Sequence, residues 1–351
     1  MPLHFDPMRR IAMTTSQMPA VVVRESGTVG DWNRLELTQV ERPHAQTGEV
    51  LIQVEACSVN RADLLQRRGL YPPPANASSI LGLDYSGFIV ETARDVQDWH
   101  VGDRVFGIVA GGGYGRYLTA RADHLVAIPE NLSFVEAAAV AEVFFTAFVN
   151  LFLEGQLVAD EVLLLHGGGS GVGTAAIQLA RNAGAQVIIT AGSQAKVHRC
   201  IDLGANHGVN YKEEDFAEAV RNFTGGIGVD LILDWIGAPY LKAHLDLLKL
   251  RGRLVIMGLM GGNQTEIPLA PILSKRVRIV GSVLRNRGNQ EKTAITKAFR
   301  ERVLPLLAAG KVHPVVDRVF PMEEADIAHL RMRNDEHFGK IVLTWQTPLV
   351  Y

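Results

Sequence analysis

The chain has 351 residues, of which 47% are hydrophobic and 21% charged, with a formal net charge of −2 at pH 7. That length points to about two domains. The near-neutral balance, without a basic block, excludes a nucleic-acid partner held by charge, and the absence of an uninterrupted run of about 18 apolar residues leaves no expected membrane span. Met1 to Ser16 carries Arg9-Arg10 but no apolar core after it, unlike a secretory signal, so residues 1–17 are expected to form a disordered extension, with Met8 or Met13 as alternative starts. Cys57 and Cys200 are too far apart for a zinc finger or a disulfide framework, and both are expected to be buried free thiols in a cytoplasmic protein.

The first ~140 residues contain short β-prone runs at 20–23, 49–56, 85–91, 104–107 and 115–119, separated by glycine, proline and charge, as in a partly open barrel. Tyr71-Pro72-Pro73-Pro74 reads as a rigid extended loop, and residues 134–153 as an apolar connecting helix. From Asp160 the pattern changes to alternating strands (162–166, 186–191, 229–234, 253–257, 278–284) and helices (171–183, 194–203, 214–223, 239–249), the spacing of a doubly wound parallel sheet. A helix over 291–309 and strands at 315–319 and 340–344 are expected to return to the first domain and complete it.

The stretch that organises the second half is Val162 to His166 followed by Gly167-Gly168-Gly169-Ser170-Gly171-Val172-Gly173. Val172, Ala175, Ala176, Leu179, Ala180 and Ala183 then share one helical face. A strand, a glycine turn and a helix of small residues suit a dinucleotide, because the backbone can approach a pyrophosphate and the helix N-terminus presents free N–H groups. The glycines run GxxGxG rather than GxGxxG, so the spacing alone is a weak signal.

These stretches, with Ser58 to Leu64, Gly82 to Gly87, Val101 to Val105, Asn210-Tyr211, Asp234 to Gly237, Gly258 to Gly262, Ser282 to Arg285 and Gly339 to Val342, occur in order over 19–343. In them the chain resembles the zinc-independent, zeta-crystallin-like quinone oxidoreductases of the medium-chain dehydrogenase/reductase superfamily, most of all the branch of the tumour-suppressor-inducible quinone oxidoreductase. The resemblance implies an α/β chain with a GroES-like β-barrel catalytic domain (18–143 and 286–351) and a Rossmann NADPH-binding domain (144–285). It implies a homodimer through the edge strand near 278–284, whose backbone groups are open to pairing.

The positions that hold catalytic zinc in metal-dependent relatives look like Asn60 and Leu83 here, and leucine cannot ligate zinc, so no metal is expected. His166 is read as a packed residue. The second strand of the alternating half ends in Gly192-Ser193 without the acid that marks an NAD site, and Ser193, Lys196 and Tyr211 are read as holding the extra phosphate of NADPH. Ser193 could equally be only a helix cap and Lys196 only a solvated lysine. Ser170, Gly171, Val172 and Gly173 are assigned to the pyrophosphate, and Ile236, Gly258, Leu259 and Met260 to the ribose and nicotinamide. Ser282, Leu284, Phe338 and Lys340 are weaker carry-overs, with Lys340 the one most like an ordinary strand-edge charge.

Asn60, Tyr71 and Thr146 are placed beside the nicotinamide and acceptor as candidate catalytic residues, Tyr71 being as readily an aromatic packed on its prolines. No obligate acid–base residue is expected. Glu142 is read as favouring the dipole at the start of the connecting helix, and Arg285 and Arg287 as solvated, the alternatives being a dimer interface or the lining of the cleft. The implied activity is NADPH-dependent quinone reduction. The alternatives are reduction of an enoyl or alkenal substrate on the same scaffold, or a non-catalytic NADPH-binding protein.

Overall fold

The structure is a computed structural model that describes residues 16–24 and 28–345. Residues 1–15 of the expected extension lie outside the described residues, whereas Gln17 already opens a strand.

Two sheets carry the architecture. The first is built on β3 (Glu49–Ser58), which pairs antiparallel with β4 (Asp84–Thr92) and β6 (Tyr117–Arg121); β5 (Arg104–Ile108) and β7 (Val126–Ala127) extend it beyond β4. The chain end returns to it. β15 (Lys340–Thr344) pairs antiparallel with β3, setting Val342 against Ser58, and parallel with β14 (Val316–Pro321). β1 (Gln17–Arg24) and β2 (Arg34–Glu41) form a separate antiparallel pair bridged to Gly115.

The second sheet has six parallel strands in the order β10-β9-β8-β11-β12-β13. They are β8 (Val162–Leu165), β9 (Gln186–Ala191), β10 (His207–Asn210), β11 (Val229–Asp234), β12 (Leu248–Ile256) and β13 (Arg278–Gly281). Leu163, Leu164, Leu165, Ile188, Ile189, Ile232 and Leu233 are wholly buried, so β8, β9 and β11 read as continuous apolar runs, as expected when helices cover both faces. The order reverses between β8 and β11, and a doubly wound sheet binds its ligand at such a point, beyond the carboxyl ends of the strands.

The link between the sheets is α2 (Phe134–Phe148). It starts at a capping box in which Ser133 Oγ accepts from the Glu136 N–H at 3.2 Å and Glu136 accepts from the Ser133 N–H at 2.8 Å. Its continuation through 149–154 is a π-helix. The 21-residue stretch Phe134–Glu154, of mean hydropathy 1.6, is long and apolar enough to cross a membrane, which the search for uninterrupted apolar runs overlooked because Glu136 and Glu142 punctuate it; most of it is buried inside the protein.

Several elements depart from expectation. The short strand β10 contains His207, Gly208 and Asn210, poor strand formers that β9 templates by pairing. α1 (Arg61–Arg67), α7 (Ala270–Lys275) and α10 (Ala325–Arg333) were not anticipated. The expected helix over 291–309 is two: α8 (Asn289–Arg302) stops where Pro305 enters the first turn of α9 (Leu304–Ala308), because proline has no N–H to continue the ladder. β13 ends at Gly281, so Ser282 to Arg285 leave the sheet and turn toward the first domain. The remaining helices of the second half are α3 (Gly171–Asn182), α4 (Gln194–Leu203), α5 (Phe216–Phe223) and α6 (Leu241–Leu247).

Candidate active site

Ser170 caps α3, its Oγ accepting from the Gly173 N–H at 3.0 Å. A Cβ on Gly173 would lie 2.5 Å from the carbonyl oxygens of Gly167 and Gly168, so only glycine lets α3 settle this close to the turn. A Cβ on Gly168 would meet Ile189 at 2.8 Å, and one on Gly171 would meet Lys340 at 2.6 Å and Val143 at 2.9 Å. The turn is a cradle whose floor a side chain would fill, at the start of α3, where the Gly171 and Val172 N–H groups lie in the first turn and the Gly173 N–H is taken by Ser170; a pyrophosphate fits it. Beside it, the loop after β11 and the loop after β12 are laced together: Met260 N–H donates to the Trp235 carbonyl at 2.9 Å and Gly261 N–H to that of Ile236 at 2.7 Å. This brings Ile236 and Gly258 alongside the turn, while Leu259 and Met260 stand exposed.

At the end of β9, Ser193 caps α4 and accepts from the Lys196 N–H at 3.3 Å. No carboxylate belongs to the Ala191-Gly192-Ser193 turn. The half-exposed Tyr211 brings its hydroxyl over Gly192, 2.8 Å from where a Cβ would sit, and Lys212 reaches the same point at 3.5 Å. Lys196 is half-buried, and burial lowers its ammonium from the ordinary lysine range; its Nζ donates to the Asp335 carbonyl at 2.5 Å. Tyr211 and Lys212 thus meet beside Ser193 at Gly192, Lys212 being a residue that sequence reasoning missed although it adjoins Tyr211, while the Lys196 ammonium is turned to the Asp335 carbonyl. Phe338 is buried against Gly169 under the Arg199 guanidinium, 3.9 Å from its ring centre, and the Gly339 N–H donates to the Gly169 carbonyl at 2.9 Å. The tail of the chain is thereby docked on the glycine turn.

The polar centre of the cleft lies where β15 meets β3 and α1. Lys340 is not a strand-edge charge: it is buried, and its Nζ donates to the Val59 carbonyl at 2.9 Å and to Asn60 Oδ1 at 2.7 Å. Asn60 Nδ2 donates to Asp84 at 2.7 Å, and Asp84 also accepts from the Ser58 N–H at 2.5 Å and from the Ser58 hydroxyl. Asp63 caps α1 by accepting from the Asn60 N–H at 2.8 Å and accepts from the Gly82 N–H at 3.0 Å. Burial pushes Asp63 up to about 7 and raises Asp84 too, with the Lys340 ammonium opposing both. Asp84 and Asp63 were not assigned from sequence; the Asn60-Arg61-Ala62-Asp63 capping box was the available signal for Asp63.

Thr146 donates to Glu142 at 2.7 Å, so the two share one face of α2, and Glu142 is turned toward Lys340 and Asp84; Glu142 sits well inside α2, not at its start, and cannot serve the helix dipole there. Tyr71 is half-buried, 5.0 Å from the Arg285 guanidinium, and burial raises its phenol. Arg285 is not solvated either: it is buried and donates to the Ala110 carbonyl at 2.9 Å and to Gln66 at 2.6 Å. Arg287 joins Glu154 at 2.7 Å and Glu291 at 2.6 Å, and reaches Ser282 Oγ at 3.3 Å. Ser282 is buried, and Leu284 is partly buried against the core cluster that also holds Val143 and Phe338.

Leu83, buried, offers no metal donor, and the Asn60 amide is committed at both ends. A second cluster, His166, Asp234 and His244, lies wholly buried at the ends of β8 and β11. The two Nε2 atoms are 2.8 Å apart, a hydrogen bond; tetrahedral zinc with bonds of about 2.0–2.1 Å needs ligand nitrogens about 3.3 Å apart. Asp234 faces the opposite edge of the His244 ring at 3.7 Å. Burial drives both imidazoles down, His244 to about 3, so this is a neutral pair. It anchors the site: His166 meets Thr190 at 3.1 Å, and Asp234 accepts from the N–H groups of Ile236 and Gly237 at 2.7 and 3.0 Å. The packed role expected of His166 holds. Cys57 and Cys200 are buried free thiols, and burial raises both, Cys200 to about 12.

Comparison with known proteins agrees with this geometry. Residues 46–130 match the family described as alcohol dehydrogenase GroES-like domain, and residues 171–301 that described as zinc-binding dehydrogenase. The chain is 31% identical to a quinone oxidoreductase of Sus scrofa over 83% of its own length and 87% of that protein's. It is 31% identical to a phthioceranic/hydroxyphthioceranic acid synthase of Mycobacterium tuberculosis over 97% of its length, but spans only 16% of that synthase. Among solved structures, the apo JamJ enoyl reductase superposes with a TM-score of 0.82 at 27% identity, covering 94% of this chain and 99% of the other. A GroES-like first domain, a Rossmann second domain and a relative at this identity over most of both chains place the chain in the medium-chain dehydrogenase/reductase superfamily.

Proposed function

We propose that this chain reduces a carbon–carbon double bond conjugated to a carbonyl, as in a 2-alkenal or enone, with NADPH as the reductant. The carrying observation is the polar cluster beside Gly171, where Lys340 lies against the glycine turn and holds Asn60, and where the buried Leu83 offers no metal donor; the proposal sets Tyr71 and Thr146 beside the acceptor. When bound, the nicotinamide supplies a hydride from its C4. An acceptor that needs no Lewis acid suits the residues present, and the role proposed for the Tyr71 hydroxyl is to donate to a carbonyl oxygen as charge develops on it. Asn60 and Lys340 supply a fixed polar wall. Likeness to an enoyl reductase structure supports this substrate class. The preference for NADPH rests on Ser193, Lys196, Tyr211 and Lys212 around a turn without an acid.

A quinone acceptor is the second reading, and with it the zeta-crystallin-like assignment. It is favoured by the pig relative's name and by the aromatic face of Tyr71 at the cleft. The test is to titrate the protein with NADPH and NADH by fluorescence, then add a 2-alkenal or an ortho-quinone and follow the reduced cofactor. Tighter NADPH binding with faster alkenal turnover is expected. Turnover of the quinone alone would move the assignment to the second reading, and equal NADH binding would overturn the phosphate pocket.

A further inference from the structure

Glu142 projects from α2 about two turns after the helix starts. Its carboxyl is half-buried, and its hydrogen bond is to a neutral group, the Thr146 hydroxyl at 2.7 Å. Among the described residues no ion pair reaches it. The groups that face it come from three other elements: Lys340 of β15, Asp84 of β4 and Tyr71 of the loop after α1. Its neighbour Val143 and the Lys340 stem both press on Gly171, which puts this part of α2 directly in front of the glycine turn.

As a structural device this arrangement is poor. A carboxyl withdrawn from water with one neutral partner costs stability, and an apolar side chain would pack there at no such cost. As a proton donor it is well composed. Burial raises the carboxyl from the ordinary glutamate range and so favours its protonated form, while the Lys340 ammonium and the Thr146 hydroxyl stabilise the carboxylate left after transfer.

We infer that Glu142 is the acid that completes the reduction by protonating the α-carbon of the substrate. This rests on the conjugated-alkene reading above. The β-carbon accepts the hydride, the former π pair becomes an enolate, and the reduced nicotinamide is oxidised. The O–H bond of Glu142 then breaks as the α-carbon–hydrogen bond forms, the carbonyl is restored, and the carboxylate regains its proton from solvent. One reduced cofactor and one solvent proton are consumed per double bond.

The experiment compares the parent chain with Glu142→Gln and Glu142→Asp on a 2-alkenal across pH, with NADPH affinity and Tm measured alongside. With Glu142→Gln, kcat is expected to fall about 100-fold or more. KM and NADPH affinity should stay within about twofold, and the alkaline fall of kcat should vanish because the titrating acid is gone. Glu142→Asp should recover part of the rate. Independently of turnover, carbon-13 NMR of glutamate-labelled protein should show one carboxyl, absent from Glu142→Gln, titrating above the ordinary glutamate range. An unchanged kcat with the alkaline limb retained would overturn the inference, as would a Glu142 carboxyl titrating normally. If Glu142→Gln fails to fold, the Asp variant and the NMR titration decide. A parent chain without alkenal turnover would overturn the substrate reading and this inference together, whereas parent turnover indifferent to both substitutions would overturn this inference alone.

Discussion

Lys340 shows how a single buried charge can be both costly and necessary. Its ammonium holds the Val59 carbonyl and Asn60, and lies 4.0 Å from Asp84, both charged groups being almost wholly buried. Removing one member of such a group leaves the other charge buried without compensation. Lys340→Met is therefore expected to destabilise the protein by about 3 kcal/mol, read from urea unfolding, and to release Asn60 from its orientation. A stability change within about 0.5 kcal/mol would show that Asp84 is satisfied by Ser58 and Asn60 alone.

At the scale of elements, the site depends on how closely α3 approaches β8. With the Gly167 and Gly168 carbonyls 2.5 Å from a Cβ on Gly173, Gly173→Ala must push the helix start outward. The N–H groups proposed to receive the pyrophosphate would move with it. We expect NADPH affinity to fall about tenfold or more, equivalent to about 1.4 kcal/mol, with a lower Tm; fluorescence titration and thermal unfolding test this. The edge strand β13 makes a second element-level prediction. Ile279 is 40% exposed there, and β13 is paired on one side only, by β12, leaving a free edge among the described residues. We propose a homodimer through this edge; Ile279→Lys should convert it to monomer in light scattering, and an unchanged mass would remove β13 from the interface.

Across the whole molecule, two features join the domains. Arg285 leaves the second sheet and grips Ala110 and Gln66 of the first domain, while Phe299 of α8 stacks on Phe145 of α2 at 4.0 Å and meets Phe106 of β5 edge-on at 6.4 Å. The molecule also buries histidines in both halves. Burial lowers His244 and His329 to about 3 and His337 to about 4. Below the unfolded histidine pKa of about 6.5 the unfolded chain takes up protons that the folded chain does not, so stability present at neutral pH is lost as pH falls through that window. Each of these groups costs about 2 kcal/mol by pH 5, partly offset by Asp63 and Asp234, whose raised values act in the opposite sense. His329→Gln, which keeps a partner for the Tyr114 hydroxyl now 2.9 Å from the ring, should flatten the fall in urea midpoint between pH 6.5 and 5. A midpoint that falls as steeply as in the parent would assign acid lability elsewhere.

What the sequence by itself determined is what short-range pattern carries. The glycine turn after β8, the alternating strands and helices, the returning tail and the leucine at position 83 are all local facts of residue type and period, and the doubly wound sheet follows from them. α1 was legible too, in its Asn60 and Asp63 cap, but at seven residues it was too short to show a helical period. Tertiary structure decided the rest. β10 is a strand because β9 lies beside it, and Lys340 is buried because β15 returns to β3. The Lys340–Asn60 bond joins residues 280 positions apart, and Glu142 enters the same cleft from α2. No period or spacing encodes such a meeting: a charge is solvated or buried according to what the fold sets opposite it, and that is settled only when distant elements pack.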